Sequence, residues 1–157
     1  MASEKNHDQS IYVATPVVLV IGTHYFGWEL GVIAASAHLL GGLLLSPDLD
    51  LISQSYKRWG PLRGIWVPYQ KFIPKHRHWL SHGILIGSVL RLLYLSIWGT
   101  ILWLIVPALS QVHWVGVTIH NLAAFFIGIE LSALNHLLLD GLLLPLPEEV
   151  TRRLKGS

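Results

Sequence analysis

The chain has 157 residues, of which 52% are hydrophobic and 13% charged, and its formal net charge is +2. Apolar residues gathered into several long runs exclude an ordinary soluble domain and point to a small all-α, multi-pass membrane protein, expected as one domain over residues 1–157. There is no cysteine, so disulfides and thiolate ligands are excluded and any metal must be held by imidazole nitrogen and oxygen.

Met1 to Ser10 is polar and lacks the basic, apolar and small-residue succession of a cleaved signal peptide, but it carries His7 and Asp8. Apolar runs then cover residues 12–26 and 30–45, separated by a weak break containing His24, Gly27, Trp28 and Glu29. Each is shorter than the ~20 residues that comfortably cross a bilayer, which predicts two short spans or a re-entrant hairpin. Residues 46–82 hold Pro47, Gly60, Pro61, Gly64, Pro68 and Pro74 and are expected to form an irregular, ordered loop. Trp59, Trp66, Tyr69, Phe72 and Trp79 lie among this loop's cations, a composition suited to the headgroup region and to anionic lipid. Nucleic acid is not an expected partner beside membrane spans.

A stronger span is predicted over residues 83–106, interrupted by Arg91 and closed by Pro107, and a last one over 114–139 carries Glu130 and Asn135. The count is therefore about four, with three as the alternative. Lys5, Lys57, Arg58, Arg63, Lys71, Lys75, Arg77, Arg152, Arg153 and Lys155 all fall in the N-terminus, the central loop or the C-terminus, whereas the turns around Gly27 and Ser110 contain no Lys or Arg. Cytoplasmic segments retain such cations, so both termini and the loop are expected on the cytoplasmic side.

That topology gathers Asp and His residues at one membrane face: His7 and Asp8, Asp48 and Asp50, His76, His78 and His82, then His136 and Asp140. His136 and Asp140 stand i to i+4 on one helix face, the spacing of two ligands of one site. Asp48 and Asp50 alternate with Leu49, so an extended turn would point both carboxylates the same way. His76 and His82 would need a bend between them. Taken singly, each residue reads as a turn cap or an interfacial anchor; four separate segments each delivering Asp or His read as a divalent-metal site for zinc, manganese or iron. His24, His113 and His120 fall toward the opposite side, and His38 is as suited to a core as to a pore. Ser81 beside His82 reads as a helix cap more readily than as a nucleophile. Arg91 and Glu130 both sit roughly 14 Å below the cytoplasmic face at about 1.5 Å per residue, and are expected to form a buried ion pair that orients the helices presenting His82 and His136.

Ser46-Pro-Asp-Leu-Asp50, Tyr56-Lys-Arg-Trp-Gly60, Leu62-Arg63, Ile65-Trp66, Pro68-Tyr69, His76-Arg77, Ser81-His82-Gly83 and Arg91 with Tyr94 resemble an uncharacterised bacterial family of multi-pass, predicted metal-binding membrane proteins. His7-Asp8 and the series Glu130, His136, Asp140 are similar to that family's ends, so the resemblance covers most of the chain. More distantly it resembles inner-membrane metal-dependent hydrolases. The resemblance implies metal binding and, through the distant group, hydrolysis; His78 and Gly141 depart from the pattern, which sets His78 apart from the ligands.

The expected function is a metal-dependent hydrolase at the cytoplasmic membrane face, acting on a phosphoester or lipid-like substrate. Its metal ligands would be His7, Asp48, Asp50, His76, His82, His136 and Asp140, with Asp8 as acid/base and Arg77 holding a phosphate. The alternative is a non-catalytic protein whose metal is structural, stored or sensed. A transporter fits less well, because the central membrane holds one Arg and one Glu but no chain of acidic groups. Substrate and oligomeric state are not set by these residues.

Overall fold

The computed structural model describes residues 4–106 and 116–141. The predicted turn at Ser110, Pro107, His113, Trp114 and the C-terminal cations Arg152, Arg153 and Lys155 lie outside them. The described chain is helical throughout, with no strand among these residues.

Helix α1 runs Glu4–Phe26 and α2 runs Trp28–Leu44, so the two apolar runs form a tight helical hairpin. Gly27 joins them at φ 87, a left-handed conformation open to glycine because it has no Cβ. The polar N-terminus is thus the first turns of α1, which continues past Pro16, and His7 and Asp8 are helical residues. Helix α6, Ile86–Ile105, and α7, Ile119–Leu139, correspond to the last two apolar stretches. Thr118 and Asn121 start α7 with a reciprocal capping box. Three helical stretches, Trp28–Asp50, Ile86–Ile105 and Ile119–Leu139, are long and apolar enough to cross a membrane. Helix α1 is not among them by composition.

Helix α2 is the centre of the packing, with α1 on one side and α7 on the other. Its buried face is built of the small residues Gly31, Ala34, Ala35, Ala37 and Gly41, with His38 among them, mostly at three- and four-residue spacing. Small residues let backbones approach closely, and dispersion then replaces side-chain interdigitation. The approach is tightest at Gly128 of α7, where a Cβ would meet the Ala34 carbonyl and, at 2.8 Å, the Ala37 Cβ. Gly128→Ala is therefore expected to push α2 and α7 apart and to lower stability by about 1–3 kcal/mol, against little change for Gly99→Ala, whose Cβ meets nothing. Thermal unfolding in detergent measures the difference. His38 belongs to this structural core: Thr15 Oγ1 donates to the Ile11 carbonyl and lies 2.9 Å from His38 Nδ1.

The segment between α2 and α6, expected as an irregular loop, is a series of short helical pieces. They are a 3-10 turn Pro47–Asp50, α3 Gln54–Arg58, a second 3-10 turn Gly60–Ile65, α4 Trp66–Phe72 and α5 Trp79–His82. Three of the prolines that suggested breaks sit in the first turns of helical pieces, where they are tolerated: Pro47 first and Pro61 second in their 3-10 turns, and Pro68 third in α4. The segment folds back on the helical ends: the Trp59 indole donates to the Leu44 carbonyl (2.9 Å) and Arg58 to the Leu43 carbonyl (3.1 Å), closing the end of α2. Its aromatic residues divide. Trp66 and Tyr69 are wholly buried against Leu49, Ile73 and Tyr94, which corrects the expectation that they lie at headgroups, while Phe72 and Trp79 are exposed. Trp59, Trp66, Tyr69 and Tyr94 pack ring to ring at 5.3–5.5 Å, an aromatic core larger than any in the long helices.

The expected Arg91–Glu130 ion pair is replaced by two separate anchors. Arg91 donates to the Ser81 carbonyl (2.6 Å) and to Ser88 Oγ (3.1 Å), whereas Glu130 Oε1 accepts from the Leu85 N–H (2.9 Å). The reason is a break between α5 and α6, where Leu85 takes φ 63 and the freed backbone groups need partners. Both charges are spent on that break, and Glu130 acts on Arg91 only through space.

Candidate metal centre

Four elements bring the predicted residues together: the start of α1, the Pro47–Asp50 turn, the His76–His82 stretch and the end of α7. Ser46 opens the 3-10 turn, its hydroxyl accepting from the Asp48 N–H, and Gln70 holds the turn from below by donating to the Leu49 and Leu51 carbonyls, each at 3.1 Å. Because the turn is 3-10 and not extended, Asp48 and Asp50 diverge. Asp48 faces His82 and His136; Asp50 faces His76, Arg77 and Ser81.

The bend required between His76 and His82 is supplied by Arg77, whose φ of 64 is left-handed for a side-chain-bearing residue and marks strain held by its surroundings. His78 caps α5 by accepting from the Leu80 N–H, so it stays out of the cluster, and Ser81, expected as a cap, faces Asp50.

Asp48 Oδ1 lies 3.4 Å from His82 Nε2 and 3.4 Å from His136 Nε2. The three donor atoms all fall within 4.8 Å of one another. Both Nε2 atoms are buried and have no hydrogen-bond partner among the described residues. Two such orphans in one place would cost about 1–3 kcal/mol each if nothing else bound there. Donors held about 2.0–2.1 Å from a tetrahedral ion stand roughly 3.3–3.4 Å apart, so these residues fit a divalent cation. The opposite ring nitrogens are occupied: His82 Nδ1 lies 2.8 Å from Ser81 Oγ and His136 Nδ1 3.5 Å from Ser46 Oγ. Such outer contacts leave the Nε2 lone pairs for a metal.

Around this triad stand two further groups with metal-ligand spacing, His7 with His136 and Asp140, and Asp50 with His76 and His82. His7 Nε2 is 3.2 Å from Asp140 Oδ1, and its ring stacks on His136 with centroids 4.0 Å apart. Arg77 donates to Asp140 Oδ2 at 2.6 Å, and His136 Nε2 is 4.0 Å from the same oxygen. Asp8 is paired with Arg58 at the rim of the site. Burial pushes His82 below the ordinary imidazole value, so it is neutral near pH 7, the form a metal requires. Burial and the neighbouring His136 do the same to His7. The hydrogen bond to Asp50 instead raises His76. Burial alone would raise Asp140, but the Arg77 guanidinium, with His136 and His7, holds its carboxyl below the usual range.

Gln70 is the site residue that sequence reasoning passes over, while Ser81 reads in the sequence as a cap and Ser46 only as part of a motif, neither as a partner of a ligand. Ser46 and Ser81 each sit next to or two positions from a predicted ligand, and that adjacency was the available signal; nothing in the sequence marks Gln70.

An all-helical fold that closes imidazoles and carboxylates into one cluster defines a protein able to hold a metal ion. In agreement with this, the chain matches over residues 2–148 the family described as uncharacterized metal-binding proteins (DUF2227), and it belongs to that family. It is also similar to an uncharacterized protein of Aquifex aeolicus (strain VF5), 41% identical over 59 residues, an overlap of 37% of this chain and 40% of the relative. No solved structure matches it.

Proposed function

We propose that this protein is an integral membrane, metal-dependent hydrolase whose centre lies at the cytoplasmic face of a bacterial inner membrane and acts on a phosphoester of lipid-like character. The observation that carries the reading is the pair of buried, unpartnered Nε2 atoms facing Asp48. Asp48, His82 and His136 are then the inner ligands, and a three-residue donor set is the number used by catalytic sites, four being usual for structural ones. Imidazole and carboxylate suit zinc, manganese or iron. Such an ion supplies Lewis acidity and acidifies a water. Asp140 accepts from His7 Nε2–H and so leaves His7 Nδ1, without a hydrogen-bond partner among the described residues, to accept or return a proton on the ring stacked against His136, and Arg77 offers a guanidinium to a phosphate.

Membrane location is supported by the three apolar helices, by the large side chains exposed on one of them, Leu93, Ile97 and Leu104 of α6, and by Val13, Val17 and Val20 exposed on α1. Only 11% of the apolar stretch of α6 is buried, as for a helix facing lipid. In this reading α1 is the fourth crossing. The exposed cations Lys57, Arg58, Arg63 and Lys71 lie on the segment that carries the site, and the Gly27 turn has no Lys or Arg, which supports cytoplasmic termini. Exposed Phe72 and Trp79 beside those cations are suited to lipid headgroups.

One observation favours the second reading, a metal that only clamps the four elements. The cleft over Asp48 and His136, lined by Glu4, His7, Asp8, Gly42, Ser46 and Gln54, encloses about 20 Å³, room for a water or two. A hydrolase would have to open at this rim. Purified metal-loaded protein assayed against phosphomonoesters, phosphodiesters and phospholipids separates the two. Turnover that disappears in Asp48→Ala is expected. Stoichiometric metal with no turnover of any phosphoester would leave the clamp as the function.

A further inference from the structure

We propose that Ser81 is a positioning residue of the metal centre, its hydroxyl oriented by Asp50 so that His82 keeps one tautomer. The inference rests on the reading of Asp48, His82 and His136 as ligands. The Asp50 side chain is fully buried and accepts on both oxygens: His76 Nδ1 lies 3.0 Å from Oδ1, while Ser81 Oγ at 2.8 Å and the Arg77 N–H at 3.3 Å meet Oδ2. Oδ2 already accepts from the Arg77 N–H, so at the shorter contact the single hydroxyl proton of Ser81 also goes to Asp50, ahead of the His78 carbonyl at 3.1 Å. The serine oxygen can then only accept. Its remaining neighbour is His82 Nδ1 at 2.8 Å, which must donate, and a neutral imidazole protonated at Nδ1 has its lone pair at Nε2. That lone pair is the atom left without a partner beside Asp48.

The backbone of Ser81 is fixed as firmly as its side chain. Arg91 donates to its carbonyl at 2.6 Å, and Gly87 packs against the same carbonyl so closely that a Cβ there would collide with it. Ser81 itself is 1% exposed, so solvent water does not compete for the hydroxyl. His136 has a looser counterpart in Ser46, 3.5 Å from its Nδ1. Asp50 therefore acts through Ser81 and stands outside the inner ligands.

Cobalt(II) titration of the full-length protein in detergent reads three quantities: stoichiometry, affinity and the visible ligand-field band. For Ser81→Ala we expect stoichiometric binding and an unchanged band with affinity lowered about 10–100-fold, the range for outer contacts of a metal-bound histidine. Ser81→Thr, which keeps the hydroxyl, restores affinity to within about threefold, and Asp50→Asn falls with Ser81→Ala. A merely structural serine would lower the melting temperature without this rescue. Wild-type affinity in a folded Ser81→Ala protein overturns the proposal, as does loss of the band and of stoichiometry in Asp50→Asn, which would make Asp50 a ligand. Should Ser81→Ala fail to fold, Asp50→Asn and Ser81→Thr carry the same comparison. Stoichiometric metal retained by Asp48→Ala would instead overturn the ligand triad, whatever Ser81 does.

Discussion

His136→Ala is expected to remove the stoichiometric metal, weakening affinity by more than the roughly 100-fold that the loss of an outer contact produces. The side chain is 5% exposed, and it belongs both to the group with Asp48 and His82 and to the group with His7 and Asp140. No other residue in reach can replace its Nε2, because the neighbouring His7 is already turned to Asp140. His82→Ala and Asp48→Ala should behave alike. His78→Ala is the control: the residue lies in the same histidine-rich stretch but caps α5, so its loss costs about 1 kcal/mol of stability and no metal. Metal analysis of the purified variants, with competition against a chromogenic chelator, reads the difference. A folding readout follows from the same equilibrium. A ligand at 100 times its dissociation constant stabilises the state that binds it by about 2.7 kcal/mol, so added metal should raise the melting temperature of the wild type and leave His136→Ala unmoved. Equal metal content in the wild type and all three variants would remove the triad from consideration.

What the sequence made legible was governed by periodicity and by a few residues of special conformation. The long apolar runs became α2, α6 and α7, and Gly27 became the reversal between α1 and α2, since one residue with positive φ is all such a hairpin needs. The convergence of His7, Asp48, His82, His136 and Asp140 was also foreseeable, because two reversals return distant residues to one face. Three features were not. Trp66 and Tyr69 read as interfacial because they lie among cations, but burial depends on how α4 folds against Leu49 and Tyr94, contacts made far along the chain. Asp48 and Asp50 read as parallel because alternation assumes an extended strand, whereas Pro47 and the Ser46 cap wind them into a 3-10 turn that sets them on opposite nitrogens of His82 and gives them otherwise different partners. Arg91 and Glu130 read as a pair because their depths match, yet the break at residues 83–85 creates backbone groups that compete for both. In each case the missing information was a local backbone conformation, on which side-chain partners depend.

Arg91→Leu is the substitution expected to damage the fold most. Arg91 is 1% exposed, and its removal leaves the Ser81 carbonyl without its charged donor and Glu130 without a nearby opposite charge. Breaking a buried charge arrangement from one side costs about 3–5 kcal/mol, and an abandoned carbonyl alone about 1–3 kcal/mol, a large part of the stability of a small protein. Arg63→Leu, on the exposed face of the connecting segment, should shift stability by no more than about 0.5 kcal/mol. Arg91→Lys should fall between them, because an ammonium can reach the Ser81 carbonyl but cannot also span to Ser88 with a planar fork. Expression level and thermal unfolding in detergent measure the order, and equal values for Arg91→Leu and Arg63→Leu would refute it. The folded fraction of Arg91→Lys carries a second signal. If Arg91 served only to seat α6, metal affinity would survive in that fraction. Since its guanidinium holds the carbonyl of the residue next to His82, a displaced Ser81 should carry the imidazole with it, and affinity should fall together with stability.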